Sequence, residues 1–68
     1  MPTVESSAVR RIEYDAAART LFVIFDDGDQ YAYFGVGPEL YEAFLAAESK
    51  GRFFQANVRD RFAFHRIT

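Results

Sequence analysis

The chain predicts an α+β fold: a three-stranded antiparallel β-meander followed by two helices packed on one face, with an extended C-terminal tail. Three observations carry this expectation. Residues 10–34 alternate or run apolar with β-branched and aromatic side chains, broken by Asp-Gly and Asp-Ala turn chemistry. Residues 38–50 switch to helical spacing. At 68 residues the chain has room for one core and one domain, spanning 1–68.

Residues 1–7 are polar and are expected to fray. Ile12 and Tyr14 alternate with Arg11 and Glu13, which reads as a strand with the apolar pair inward. Asp15 opens a loop through Arg19, and Thr20–Asp26 is the densest strand signal in the chain. After Asp27-Gly28, residues Gln30–Phe34 form a third strand. Pro38 suits the first turn of a helix, where its missing N–H is not needed. Glu39 and Glu42 favour the positive end of that helix, and Leu40, Tyr41, Phe44 and Leu45 form its apolar stripe. Gly51 is expected to stop it. A second helix is expected from Phe53 to Asp60, with Phe54, Val58 and Phe62 four apart. The tail FAFHRI suits either an edge strand or an extended arm.

The loop length at Asp26–Asp29 decides which way Tyr31 and Tyr33 face, because a one-residue shift in pairing flips every side chain of a strand. A two-residue loop pairs Ile24 with Tyr31 and puts the tyrosines on the face of Phe22. A three-residue loop with Gly28 in the left-handed bulge position pairs Val23 with Tyr31 and Leu21 with Tyr33. The second register is preferred, because it gathers Ile12, Tyr14, Leu21, Val23, Phe25, Tyr31 and Tyr33 on one face for the helices to cover. It leaves Phe22, Ile24, Ala32 and Phe34 opposite, to be covered by the tail or a second molecule, or used as an aromatic surface.

Composition excludes several function classes. There is no cysteine, hence no thiol nucleophile, disulfide or thiolate metal site. The longest apolar run, LFVIF, is too short for a membrane span, and the N-terminus lacks secretory order, so a cytoplasmic protein is expected. His65 is the lone histidine and has no nucleophile at a recognisable spacing, so no catalytic residue is assigned and no enzyme is expected. Asp26, Asp27 and Asp29 lack calcium-loop spacing, and Gly35-x-Gly37 lacks the rest of a phosphate loop. No metal or cofactor is expected.

Charge is uneven. Residues 1–49 carry three basic against nine acidic side chains, net −6, and residues 50–68 carry five basic against Asp60, net +4. Arginines interleaved with phenylalanines suit single-stranded RNA or a tRNA arm. Lys50, Arg52, Arg59, Arg61 and Arg66, with Tyr31 and Tyr33 at the rim, are therefore the candidate RNA-binding residues. The net acidity of the whole chain weighs against a dedicated nucleic-acid binder. The alternative is a protein-interaction module or homodimer using the Phe22, Ile24 and Phe34 face.

The order SSAVRRIEYD, LFVIF–DDG–QYAY, PELYEAFLAAESKG and RFFQANVRDRF resembles the KTSC domain, from about Ser6 to Ile67. Tyr-x-Tyr, followed at the right distance by Ser49-x-Gly51 and an aromatic pair, carries the resemblance. It implies a short bacterial module that occurs alone or at the C-terminus of some lysyl-tRNA synthetases, a setting that suggests RNA association. Two positions depart from the pattern: Gly37 stands where proline is common, and Gln55 where asparagine is common.

Overall fold

The computed structural model describes residues 9–67. The residues expected to fray lie outside that range. Strands β1 (Val9–Asp15), β2 (Thr20–Phe25) and β3 (Gln30–Phe34) form the antiparallel meander, helices α1 (Pro38–Ala46) and α2 (Lys50–Asn57) follow, and β4 (Phe64–Arg66) returns beside β3. The sheet order is β1-β2-β3-β4 with every neighbour antiparallel. The expected α+β fold is thus present, and the tail is an edge strand rather than an arm.

The register is the three-residue one. Val23 lies opposite Tyr31 and Leu21 opposite Tyr33. The Phe25 N–H donates to the Asp29 carbonyl at 2.9 Å, and the Gly28 N–H donates to the Phe25 carbonyl at 2.9 Å. Gly28 has φ +96°, a region that strains any side chain bearing a Cβ. On β1, Ile12 faces Val23 and Tyr14 faces Leu21, while a bulge between Val9 and Arg11 brings Val9 back to the core side.

Two rows therefore cross the covered face of the sheet: Tyr14, Leu21, Tyr33, Phe64 and Ile12, Val23, Tyr31, Arg66. Leu21, Val23, Val36, Phe44 and Val58 are fully buried. Phe44 stacks on Phe53 with ring centroids 5.0 Å apart, which ties α1 to α2. Tyr41 stacks on Tyr14 at 4.8 Å, and Phe54 meets Phe25 and Tyr33 edge-on at 5.2 and 5.6 Å. Leu45, expected in the apolar stripe of α1, is exposed, so Leu40, Tyr41 and Phe44 make that stripe.

The helix boundaries differ from expectation for a local reason. α1 stops at Ala46, and Ala47 turns extended. Ser49 then caps α2, its hydroxyl accepting the Arg52 N–H at 3.2 Å. Gly51 consequently lies in the first turn of α2 instead of ending α1, a position where glycine is poorer than alanine. A good capping residue two positions ahead outweighs the glycine stop signal. α2 begins three residues before, and ends three residues before, the span expected from Phe53 to Asp60.

The opposite face carries Glu13, Phe22, Ala32 and His65 in one row. Phe22 and Ile24 are half-buried and Phe34 is exposed there. The tail does not fold over this face: pairing Phe64 with Tyr33 sends Phe64 to the helix side, and Phe62 packs against the core. No helix of the described residues is long and apolar enough to cross a membrane.

Candidate functional site

A groove of about 510 Å³ opens between β3–β4, the β2–β3 turn and the C-terminal end of α2. That volume lies within the ~300–1,000 Å³ typical of small-molecule sites. Tyr31, Tyr33, Phe54 and Phe64 make its aromatic walls. Asp27, Asp29, Gln55, Arg59 and Asp60 make its polar rim.

Each wall has a structural cause. The three-residue turn points Tyr31 and Tyr33 to the helix side, and their rings lie 6.3 Å apart in a stacked arrangement. Phe64 leans on both, at 5.7 and 5.6 Å, because β4 pairs it with Tyr33. It remains 56% exposed, so one side of its ring contacts aromatic neighbours while much of it meets solvent. Phe54 is held by the edge contacts of α2 and closes the inner end.

Tyr33 is the buried polar element of the site. It is 3% exposed, and its hydroxyl makes no hydrogen bond to a described residue. Burial pushes this hydroxyl up to about 12, with the neighbouring Tyr31 and Asp60 adding to the rise and Arg59 opposing it. It therefore stays a neutral donor at any physiological pH.

The cations expected to act together are in different states. Arg66 bonds Asp29 at 3.0 Å, and its guanidinium carbon lies 6.0 Å from the centre of the Tyr31 ring. Arg59 lines the groove rim. Arg52 and Arg61 are exposed and form no salt bridge with a described residue. Lys50 is engaged differently: its ammonium donates to the Leu45 and Ala47 carbonyls at 3.0 and 2.8 Å and so satisfies the end of α1. The structure thus brings Tyr31, Tyr33 and Arg59 to one groove, sets Arg66 beside it against Asp29 and Tyr31, and ties Lys50 to the backbone.

Sequence reasoning missed the acidic side of the groove and the place of Gln55 on its rim. Asp29 could have been found from the preferred register, since it immediately follows the glycine bulge. Asp60 could not, because its position depends on how the chain leaves α2. Among the described residues, no group of three or more His, Asp or Glu side chains is arranged to hold a metal ion.

A four-stranded sheet with both helices on one face and an aromatic groove at its edge defines a small α+β module. The KTSC domain profile matches residues 5–62, and the chain belongs to that family. It is 36% identical to a KTSC domain protein of Yersinia pestis of known crystal structure, with a TM-score of 0.84, over 96% of this chain and 92% of that one. A protein of Tsukamurella paurometabola is 45% identical over 62 residues, covering 91% of this chain and 92% of the relative. A lysine–tRNA ligase of Nostoc punctiforme is 33% identical over 64 residues, covering 94% of this chain. The chain spans 11% of that ligase's length. No catalytic family is indicated by these likenesses.

Proposed function

We propose that this domain is a non-catalytic RNA-binding module of the cytoplasm, which takes single-stranded RNA or an exposed part of tRNA at the aromatic groove. The observation that carries the reading is the pairing of a partly exposed aromatic wall, Tyr31 and Phe64, with Arg59 at the groove rim and Arg66 beside the Tyr31 ring. Bases stack on aromatic faces irrespective of sequence, and guanidinium groups neutralise phosphate and stack as well. The likeness to lysine–tRNA ligases, whose name places them in contact with tRNA, supports the same reading. Arg52 and Arg61 are exposed and available to further phosphates, while Lys50 keeps its structural bonds.

The test is a titration of isotope-labelled protein with a short single-stranded RNA and with tRNA, followed by NMR at low and at physiological salt. Shifts centred on Tyr31, Phe64 and Arg59 that weaken with salt are the expected result. About three phosphate contacts give a log–log salt slope of about −2. Absence of shifts at low salt overturns the proposal.

A second reading is a homodimer formed through the opposite sheet face. It is supported by the path of β4, which leaves Phe22, Ile24 and Phe34 without a cover from the described tail. Sedimentation without RNA tests it: a dimer dispersed by Phe34→Lys is expected, and a monomer at high concentration rejects it.

A further inference from the structure

The charge of the groove rim conflicts with a simple phosphate site. Asp27, Asp29 and Asp60 stand against Arg59, and Arg66 is already shared with Asp29. Phosphate is repelled by such a rim, whereas a group that offers protons is attracted. The aromatic walls and the volume suit a planar ring. On the RNA reading given above, the group inside the groove is then the base, and its phosphates lie outside the acidic rim, with Arg59 as the rim cation.

We propose that the groove selects a base whose edge presents adjacent imino and amino protons, guanine foremost, and disfavours uracil. The acceptor is the Asp60 carboxylate. It lines the groove and makes no hydrogen bond or salt bridge with a described residue, unlike Asp27, which accepts the Asp29 N–H at 3.0 Å, and Asp29, which holds Arg66. The two oxygens of a carboxylate match the two neighbouring donors of guanine. Cytosine and adenine offer a single amino group beside a ring acceptor. Uracil offers one imino proton flanked by two carbonyls, and both carbonyls face the carboxylate unfavourably.

A second group supports a polar ring rather than an apolar ligand. Tyr33, a buried residue, brings to the groove a hydroxyl with no partner among the described residues. Leaving such a donor unmet is unfavourable, and a ring nitrogen or carbonyl of a stacked base is an acceptor of the right kind. Beside the groove, Arg66 sits by the Tyr31 ring and bonds Asp29, a planar, proton-rich group between an aromatic ring and a carboxylate that both line the groove.

The experiment compares the RNA pentamers UUGUU, UUAUU, UUCUU and UUUUU by NMR titration of the intact domain. UUGUU is expected to bind roughly tenfold tighter than UUUUU, with the other two between them. Asp60→Asn, at an exposed position that leaves the fold intact, is expected to bring all four within about twofold of one another while UUUUU binds no more weakly. Tyr33→Phe is expected to weaken all four pentamers, because every base offers its hydroxyl an acceptor, and unchanged affinities overturn the part given to Tyr33. Equal affinity of the four pentamers for the natural protein, with shifts still at Tyr31 and Phe64, overturns base selection and leaves the RNA module standing. Discrimination that persists unchanged in Asp60→Asn overturns the assignment of Asp60. No binding of any pentamer overturns both proposals.

Discussion

The Tyr14 hydroxyl donates to the Val36 carbonyl at 2.6 Å, joining the first strand to the segment that leads into α1. Tyr14 also stacks on Tyr41 of that helix, so one side chain fixes both the start of α1 and its lean against the sheet. Tyr14→Phe keeps the stack and removes only the hydroxyl. The carbonyl is then left without its partner, and a loss of about 1–2 kcal/mol is expected in urea unfolding. An unchanged midpoint would show that solvent replaces the bond freely.

Lys50 separates structure from binding. Lys50→Met keeps the side-chain stem and removes the two bonds to the end of α1. It is expected to lower stability by about 0.5–1.5 kcal/mol and to leave RNA affinity within about twofold. Arg59→Gln is expected to do the reverse, weakening RNA and flattening its salt dependence with little change in melting temperature. If Lys50→Met weakens RNA as strongly as Arg59→Gln, Lys50 belongs to the interface after all.

Two residues with positive φ offer opposite outcomes. Arg19 has φ +52° in the β1–β2 turn, where a left-handed conformation costs a non-glycine residue about 1–2 kcal/mol. Arg19→Gly removes that strain but adds unfolded-state entropy, and a net gain of about 0.5 kcal/mol is expected. At Gly28 an added Cβ would meet nothing within 4 Å, so Gly28→Ala is a purely backbone test. A loss of about 1–2 kcal/mol is expected, with the hairpin register retained in the NOE pattern.

Tyr33 makes stability depend on alkaline pH. Its folded value, about 12, lies above the ordinary 10.0, so the folded state holds the proton more tightly than the unfolded one. Below pH 10 both states are protonated and the contribution is fully present. Between pH 10 and 12 the unfolded chain ionises first, and stability falls through that window. Tyr33→Phe is expected to lessen the fall in denaturation series from pH 9 to 12; a parallel curve for the variant would remove Tyr33 as the cause.

The meander was legible because its evidence is local. Alternation at Ile12 and Tyr14 and a glycine at the bulge specify the same covered face, and β-branching at Val23 and Ile24 marks the strand between them. The helix boundary was not, because Ser49 and Gly51 send competing local signals and only the cap bond resolves them. The candidate site was legible in half. Tyr31, Tyr33, Arg59 and Arg66 carry the chemistry that composition suggests, but the carboxylates opposite them arrive from the turn and from the far end of α2. That meeting is a property of tertiary packing, which no spacing in the chain announces.

The aromatic wall at Phe64 hangs on a strand of three residues, all of them exposed. It is held to β3 by its own pairing and by flanking bonds from Phe34 N–H to the Ala63 carbonyl at 2.9 Å and from Ile67 N–H to the Gln30 carbonyl at 2.7 Å. β2, by contrast, is paired on both edges and contributes fully buried residues. Opening β4 therefore requires far less than global unfolding, and its amides belong to the fast-exchanging end of the molecule. The groove can lose one side and regain it while the core stays shut. Its occupant would register first as slowed deuterium uptake at Phe34 and Ile67.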